Sequence, residues 1–215
     1  MTRYFTRMTS KAQAALLCAV VAVAAGSASA DSKVVLVEEH WELRLSQPDS
    51  ERSAPQTTMV MSPVNHLNDV HFLFSLNHVA VPDYQAGGMQ VQLWEGGDLQ
   101  DYAIANKIGA LHHDDEVVRW VQRLTLDGGF LKFQIVNGES ETWQTFGGDD
   151  LSLTAPTLLD RLNDYRPGVS LTESQVSYAE NRVESLVLTK LVWVTDTGEV
   201  YEQSAPIPID TSLDP

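Results

Sequence analysis

Residues 117–137 read VVRWVQRLTLDGGFLKFQIVN, and the way this stretch folds decides the rest of the chain. Alternation sets Val118, Trp120, Gln122, Leu124 and Leu126 on one side of a strand, with Leu131, Phe133 and Ile135 on the matching side of a return strand. Asp127-Gly128-Gly129 supplies the turn, because tight hairpin loops need the positive φ that Asp-Gly and Gly-Gly tolerate. Parity restricts the loop. Two residues at Asp127-Gly128 pair Leu124 with Leu131 and Trp120 with Ile135, two at Gly128-Gly129 pair Leu124 with Phe133, and either keeps the apolar sets on one face. A three-residue loop without a bulge would put them on opposite faces.

Upstream, residues 33–45 alternate Val35, Val37, Trp41, Leu43 and Leu45 against Glu38, His40, Glu42 and Arg44, with Glu39 alone breaking the apolar side. That pattern predicts a long half-buried strand. Residues 47–56 form a polar loop with Pro48 and Pro55, and residues 57–61, 70–78 and 89–94 are further strands. Gly96-Gly97-Asp98 then turns the chain into a short strand near Tyr102, and residues 105–116, which show little periodicity, read as an exposed loop.

Downstream, residues 142–146 and 151–153 are short strands around Gly147-Gly148. The segment 154–162 predicts the one helix: Thr154 caps it, Pro156 suits a first turn, Leu158, Leu159 and Leu162 make a stripe, and Pro167-Gly168 closes it off. Residues 185–195 are apolar on both sides, as in a central strand covered on both faces. Asp196-Thr197-Gly198 turns them into residues 200–203, after which Pro206 and Pro208 are expected to stop pairing and leave 206–215 as a C-terminal tail.

About a dozen short strands, frequent glycine turns and one helix specify an all-β antiparallel sandwich, with residues 31–205 as a single domain. Residues 120–138, with the Asp127-Gly128-Gly129 turn and the Asn137-Gly138 end, resemble a hairpin of the sugar-binding laminin-G and concanavalin-type domains. The resemblance implies a jelly-roll or concanavalin/laminin-G-like sandwich. It covers roughly twenty residues, so it bears on fold and no functional residue is carried over.

Arg3, Arg7 and Lys11 precede an apolar run over 14–25 that ends near Ala28-Ser29-Ala30, so residues 1–30 read as a cleaved secretory signal peptide. The mature protein is expected to be secreted or periplasmic. Cys18 is the chain's single cysteine and lies within the leader behind Leu17, where lipid attachment would want a small residue. Without disulfides, stability must come from packing. The formal net charge is −15, and loss of the three basic leader residues makes it more negative still. Nucleic acid and anionic membranes are therefore poor partners, and beyond the leader no apolar stretch is long enough for a membrane span.

Candidate chemistry is sparse. His66, Asp69 and His71 invite a metal reading, but His71 and His78 are an odd number of residues apart on one predicted strand and point to opposite faces. Calcium suits the oxygen-rich loop Asp114, Asp115 and Glu116 better, although it does not follow the alternating ligand pattern of an EF-hand. Glycoside hydrolysis needs two carboxyls roughly 5 to 10 Å apart. Glu38 and Glu42 flank His40, but two strand repeats separate them by about 13 Å. No G-x-S-x-G elbow is present.

More informative is a cationic patch on the hairpin's outer face, Arg119, Arg123 and Lys132, which either meets carboxylates of a neighbouring strand or takes an acidic ligand. Trp41, Trp120 and Trp193 fall on apolar faces, whereas Trp94 alternates with Gln90 and Gln92 as a sugar-facing strand would. The leading expectation is a non-catalytic binding module for a polysaccharide or an extracellular protein, with no cofactor. The alternatives are an adhesion subunit assembling through strand edges and a hydrolase whose carboxylates meet only in the fold.

Overall fold

Thirteen strands among the described residues form two antiparallel sheets, an all-β sandwich. The larger sheet comprises β1 (Val34–Leu45), β6 (Val117–Asp127), β7 (Phe130–Ser140), β8 (Gln144–Phe146), β9 (Ser152–Pro156), β11 (Val183–Thr195), β12 (Val200–Gln203) and β13 (Ile207–Pro208). Its order is β12-β11-β1-β6-β7-β8, with β13 also on β11 and β9 also on β7. The smaller sheet runs β10-β2-β3-β4-β5, from β2 (Gln56–Met61), β3 (Val70–Leu76), β4 (Gly88–Glu95), β5 (Asp98–Asn106) and β10 (Gln175–Tyr178). The computed structural model describes residues 32–46, 55–77, 88–106, 111, 113–204 and 206–209. The expected leader, residues 210–215, His78 and His112 lie outside these. Both sheets belong to one compact unit, Lys33–Pro215.

The β6–β7 hairpin closes through Gly128 and Gly129, whose φ values of 56° and 84° no β-branched residue would accept. Leu124 faces Phe133 and Leu126 faces Leu131, so of the two loops compatible with parity the glycine pair is used. Asn137-Gly138 does not end the return strand. One extra β7 residue between the pairs Val121↔Val136 and Arg119↔Glu139 makes a bulge there, with Asn137 at φ 53°. A side chain at Gly138 would collide with the ring of Phe146.

The two inner faces meet through aromatic contacts. Phe72 stacks on Phe133 with centroids 5.0 Å apart, and Phe74 meets Trp120 edge-on at 5.9 Å. Around them Val37, Trp41, Leu43, Met59, Met89, Val91, Val118, Leu124, Leu131 and Ile135 are buried. β11 reaches this interior through a change of parity. Trp41 pairs with Leu188 but His40 with Lys190, leaving Thr189 as the extra residue, its hydroxyl donating to the His40 carbonyl at 2.9 Å. Leu186 and Leu188 before the bulge, and Leu191 and Trp193 after it, therefore all pair with inward-facing residues of β1. Much of the two-sided apolar pattern of this strand comes from that switch.

The expected helix over 154–162 is not formed. Thr154 instead faces Lys132 within β9, and among the described residues the α-helix is α1 (Pro167–Glu173), where Pro167 occupies the first turn and begins the element it was expected to end. Between β9 and α1 the chain is irregular and tied to β1: Leu162 N–H donates to the Val34 carbonyl at 2.7 Å, and Val34 N–H donates to Asn163 Oδ1 at 2.8 Å. Pro206 and Pro208 do not end pairing either. Ile207 and Pro208 face Leu188 and Val187, and Ile209 N–H donates to the Leu186 carbonyl at 2.8 Å.

Among the described residues β5 is one edge of the smaller sheet, and it is longer than the sequence suggests. A bulge at Gln100 disturbs it, and Asp101 Oδ1 accepts the Tyr102 backbone N–H at 2.8 Å, so a donor of this strand is already occupied. Both features oppose edge-to-edge addition.

Two phenylalanines of one strand separate packing from exposure. Phe133→Ala should lower unfolding free energy by about 3–5 kcal/mol, whereas Phe130→Ala should stay within about 0.5 kcal/mol of the parent. Urea titration followed by tryptophan fluorescence measures both.

Candidate functional site

The outer face of the larger sheet is organised in cross-strand rows. One row runs Leu36–Thr125–Lys132–Thr154, the next Glu38–Arg123–Gln134–Ser152, and a third Glu42–Arg119–Glu139. Beyond the first row, Asp127 faces Phe130 at the turn. Where the first two rows meet this turn, the surface dips into an open groove of about 560 Å³. Its floor and walls are Leu36, Thr125, Gln134 and Thr154, flanked by Arg123 and Lys132, and its turn end carries Asp127 and Phe130. Phe130 is 52% exposed, an aromatic ring offered to solvent beside hydroxyl, amide and charged groups.

The cationic patch is matched by carboxylates of β1, the neighbouring strand. Arg123 Nε donates to Glu38 Oε1 at 2.7 Å, with its Nη2 2.5 Å from the same oxygen, and Glu38 Oε2 lies 3.3 Å from His40 Nε2. The His40 contact, opposed by burial and reinforced by the Arg123 hydrogen bond and charge, holds the Glu38 carboxyl below the usual range. Burial pushes Glu42 up, but hydrogen bonds and charges from Arg119 at 2.8 Å and Arg44 at 2.7 Å outweigh it, so Glu42 too is held low. Arg119 also lies 3.5 Å from Glu139, and Lys132 is 3.6 Å from the exposed Asp149. The register places Lys132 opposite Thr125 and not Arg123, which removes the like-charge clash that the other hairpin loop would have created.

Gln90, Gln92 and Trp94 lie elsewhere, on the outer face of the smaller sheet, since the alternating Met89, Val91 and Leu93 point into the core. Their polar groups form a chain along β4: the Trp94 indole donates to Gln92 at 2.9 Å, and the Gln92 amide to Gln90 at 2.6 Å. His71 stacks on Trp94 at 6.4 Å. The expected ligand-binding residues thus divide between two opposite faces, and only Arg123 and Lys132 border the groove.

Asp114, Asp115 and Glu116 do not converge. Glu116 is buried and accepts from Thr142, N–H and hydroxyl each at 2.8 Å, while Asp114 and Asp115 are exposed. His66 pairs with Asp69 at 3.7 Å and His71 is buried against Trp94. Among the described residues no group of three metal-ligating side chains gathers.

Two buried charged residues escape the sequence reading of the site. Arg182 is fully buried and donates to the carbonyls of Leu111, of Ser46 at 2.8 Å and of His113 at 3.3 Å. Glu39 lies inside the sandwich, and its signal was visible as the single interruption of the apolar side of β1. Gln122, its cross-strand partner, was placed on the inner face by the same alternation.

The Glu38–Arg123 pair gives a pH-dependent expectation. A carboxyl held low in the folded state adds stability that is complete above its unfolded value and is lost as pH falls through its folded value. A double-mutant cycle with Glu38→Gln and Arg123→Gln should give a coupling of about 1 kcal/mol at neutral pH and one near zero in strong acid. Chemical denaturation of the four proteins measures it. Comparison with known proteins assigns no family: no protein-family model matches the chain, and no curated protein matches it with significance.

Proposed function

We propose that the chain is an exported, non-catalytic binding module that holds a polysaccharide in the groove beside Phe130. The observation that carries this reading is the mixture of groups lining one open depression. An exposed ring suits the apolar face of a sugar, while Thr125, Thr154 and Gln134 offer both donors and acceptors to hydroxyls that themselves do both. Arg123 and Lys132 are paired with Glu38 and Asp149, so the groove does not demand a strongly anionic ligand. Glu38 is held low by His40 and Arg123, and Glu42 by Arg119 and Arg44, which suits charge pairing and not proton donation to a leaving group. The Ala14–Ala25 run and the Ala28-Ser29-Ala30 pattern support export.

A second reading, a subunit that assembles through β5, draws support from the exposed Leu99, Tyr102 and Ile104 on that edge strand. The Gln100 bulge and the occupied Tyr102 N–H oppose it.

Affinity electrophoresis in gels containing soluble neutral and weakly acidic polysaccharides tests the proposal. The wild-type protein should be retarded by at least one of them. Phe130→Ala should weaken that binding about tenfold, the scale of one lost aromatic contact, and Trp94→Ala on the opposite face should leave it unchanged. Migration unaffected by every polymer, or retardation that survives Phe130→Ala and disappears with Trp94→Ala, counts against the groove.

A further inference from the structure

The carboxyl of Glu39 is fully buried, and among the described residues it forms no ion pair with a cation. Its two oxygens differ in their surroundings. Oε2 accepts the Trp41 indole N–H at 3.0 Å and the Gln122 amide N–H at 3.3 Å, groups that only donate. Oε1 accepts the Tyr165 hydroxyl at 2.6 Å and the Ser170 hydroxyl, and a hydroxyl accepts as readily as it donates. A proton placed on Oε1 therefore has a partner waiting, whereas an ionised carboxylate has no positive charge to offset its desolvation.

The neighbours come from four other elements. β6 supplies Gln122, β11 places Leu191 in register, the irregular segment supplies Tyr165 and α1 supplies Ser170. Tyr165 is the titratable group among them, and burial followed by the Glu39 charge pushes its phenol well above its ordinary value, so it stays neutral. Both hydroxyls on Oε1 belong to residues 157–174, which link β9 of the larger sheet to β10 of the smaller. The same segment ends at Ser174, whose hydroxyl accepts the Val60 N–H of β2 at 2.9 Å. One carboxyl on an interior strand thus pins the connection between the sheets.

We propose that Glu39 is a proton-operated pin: while its carboxyl is neutral, residues 157–174 stay docked on β1, and loss of the proton releases them. Burial pushes this carboxyl from 4.5 up to about 7, against the lowering pull of Ser170, Tyr165 and Trp41. Because the docked-state value lies above the exposed one, the stabilisation is complete at acid pH and is lost as pH rises through about 7. Repulsion across a chain of net charge −15 also grows with pH, but it acts on the whole fold and is kept when Glu39 alone is neutralised.

Hydrogen exchange of the full chain, read by mass spectrometry and corrected for intrinsic rates, is the test. Between about pH 5.5 and about pH 8.5 the amides of residues 157–174 should lose about tenfold or more of their protection, while those of β6 and β7 keep theirs. In Glu39→Gln, which cannot ionise, protection of 157–174 should change no more than that of β6 and β7. Equal protection in the wild type, or the same loss in Glu39→Gln, overturns the pin. Should that variant fail to fold, carboxyl NMR of the wild type decides: Glu39 titrating together with the loss of protection supports the proposal, and titration in the range of exposed glutamates overturns it.

Discussion

A strand that slips by one residue turns its whole apolar set outward, and in a sandwich both inner faces must stay dry at once. The stack of Phe72 on Phe133 and the edge contact of Phe74 with Trp120 hold only while β3, β6 and β7 keep their registers. The chain meets this constraint by regular alternation near the hairpin turn and by inserted residues further away. Extra residues beside Asn137 and at Thr189 let β7 and β11 follow the twist of the sheet and still return their large side chains to the interior. A third bulge, at Gln100, lies on an edge strand and serves a different end, since it disturbs the row of groups that another strand would bind.

The same registers arrange the charges. With β1 between β6 and β11, the polar sides of β1 and β6 face each other residue for residue, Glu38 opposite Arg123 and Glu42 opposite Arg119. Acidic and basic side chains are thereby neutralised across strands on a chain with a large excess of acid. The groove is left with uncharged polar groups along its floor, an exposed ring at its turn end and the paired Arg123 and Lys132 at its flanks.

What the sequence disclosed follows the range of the forces involved. The hairpin, the inner face of β1 and β6 and the sandwich class rest on period-two patterns and glycine turns, which are local and therefore legible. The helix was misplaced because Pro167 serves equally as a stop for one segment and a start for the next, and Thr154 suits a cap or a strand until its partner Lys132 is known. The bulge at Thr189 imitates a strand buried on both sides, because a parity change and a two-sided apolar run spell alike. For the candidate site, the cationic patch and its two competing explanations were readable, but the acidic partners become specific only through the β1–β6 register. The division of Trp94 from Arg123 between opposite faces required the sheet assignment. Glu39 announced itself as an interruption, yet its hydroxyl partner Tyr165 stands 126 residues away.

Arg182 gathers the carbonyl of Ser46, just after β1, and those of Leu111 and His113, just before β6, while itself preceding β11. These three strands are neighbours in the larger sheet, so a single guanidinium ties their adjoining ends together like a knot in three ropes. A load on any one of these ends therefore has a route to the other two through Arg182 as well as through the ladder itself.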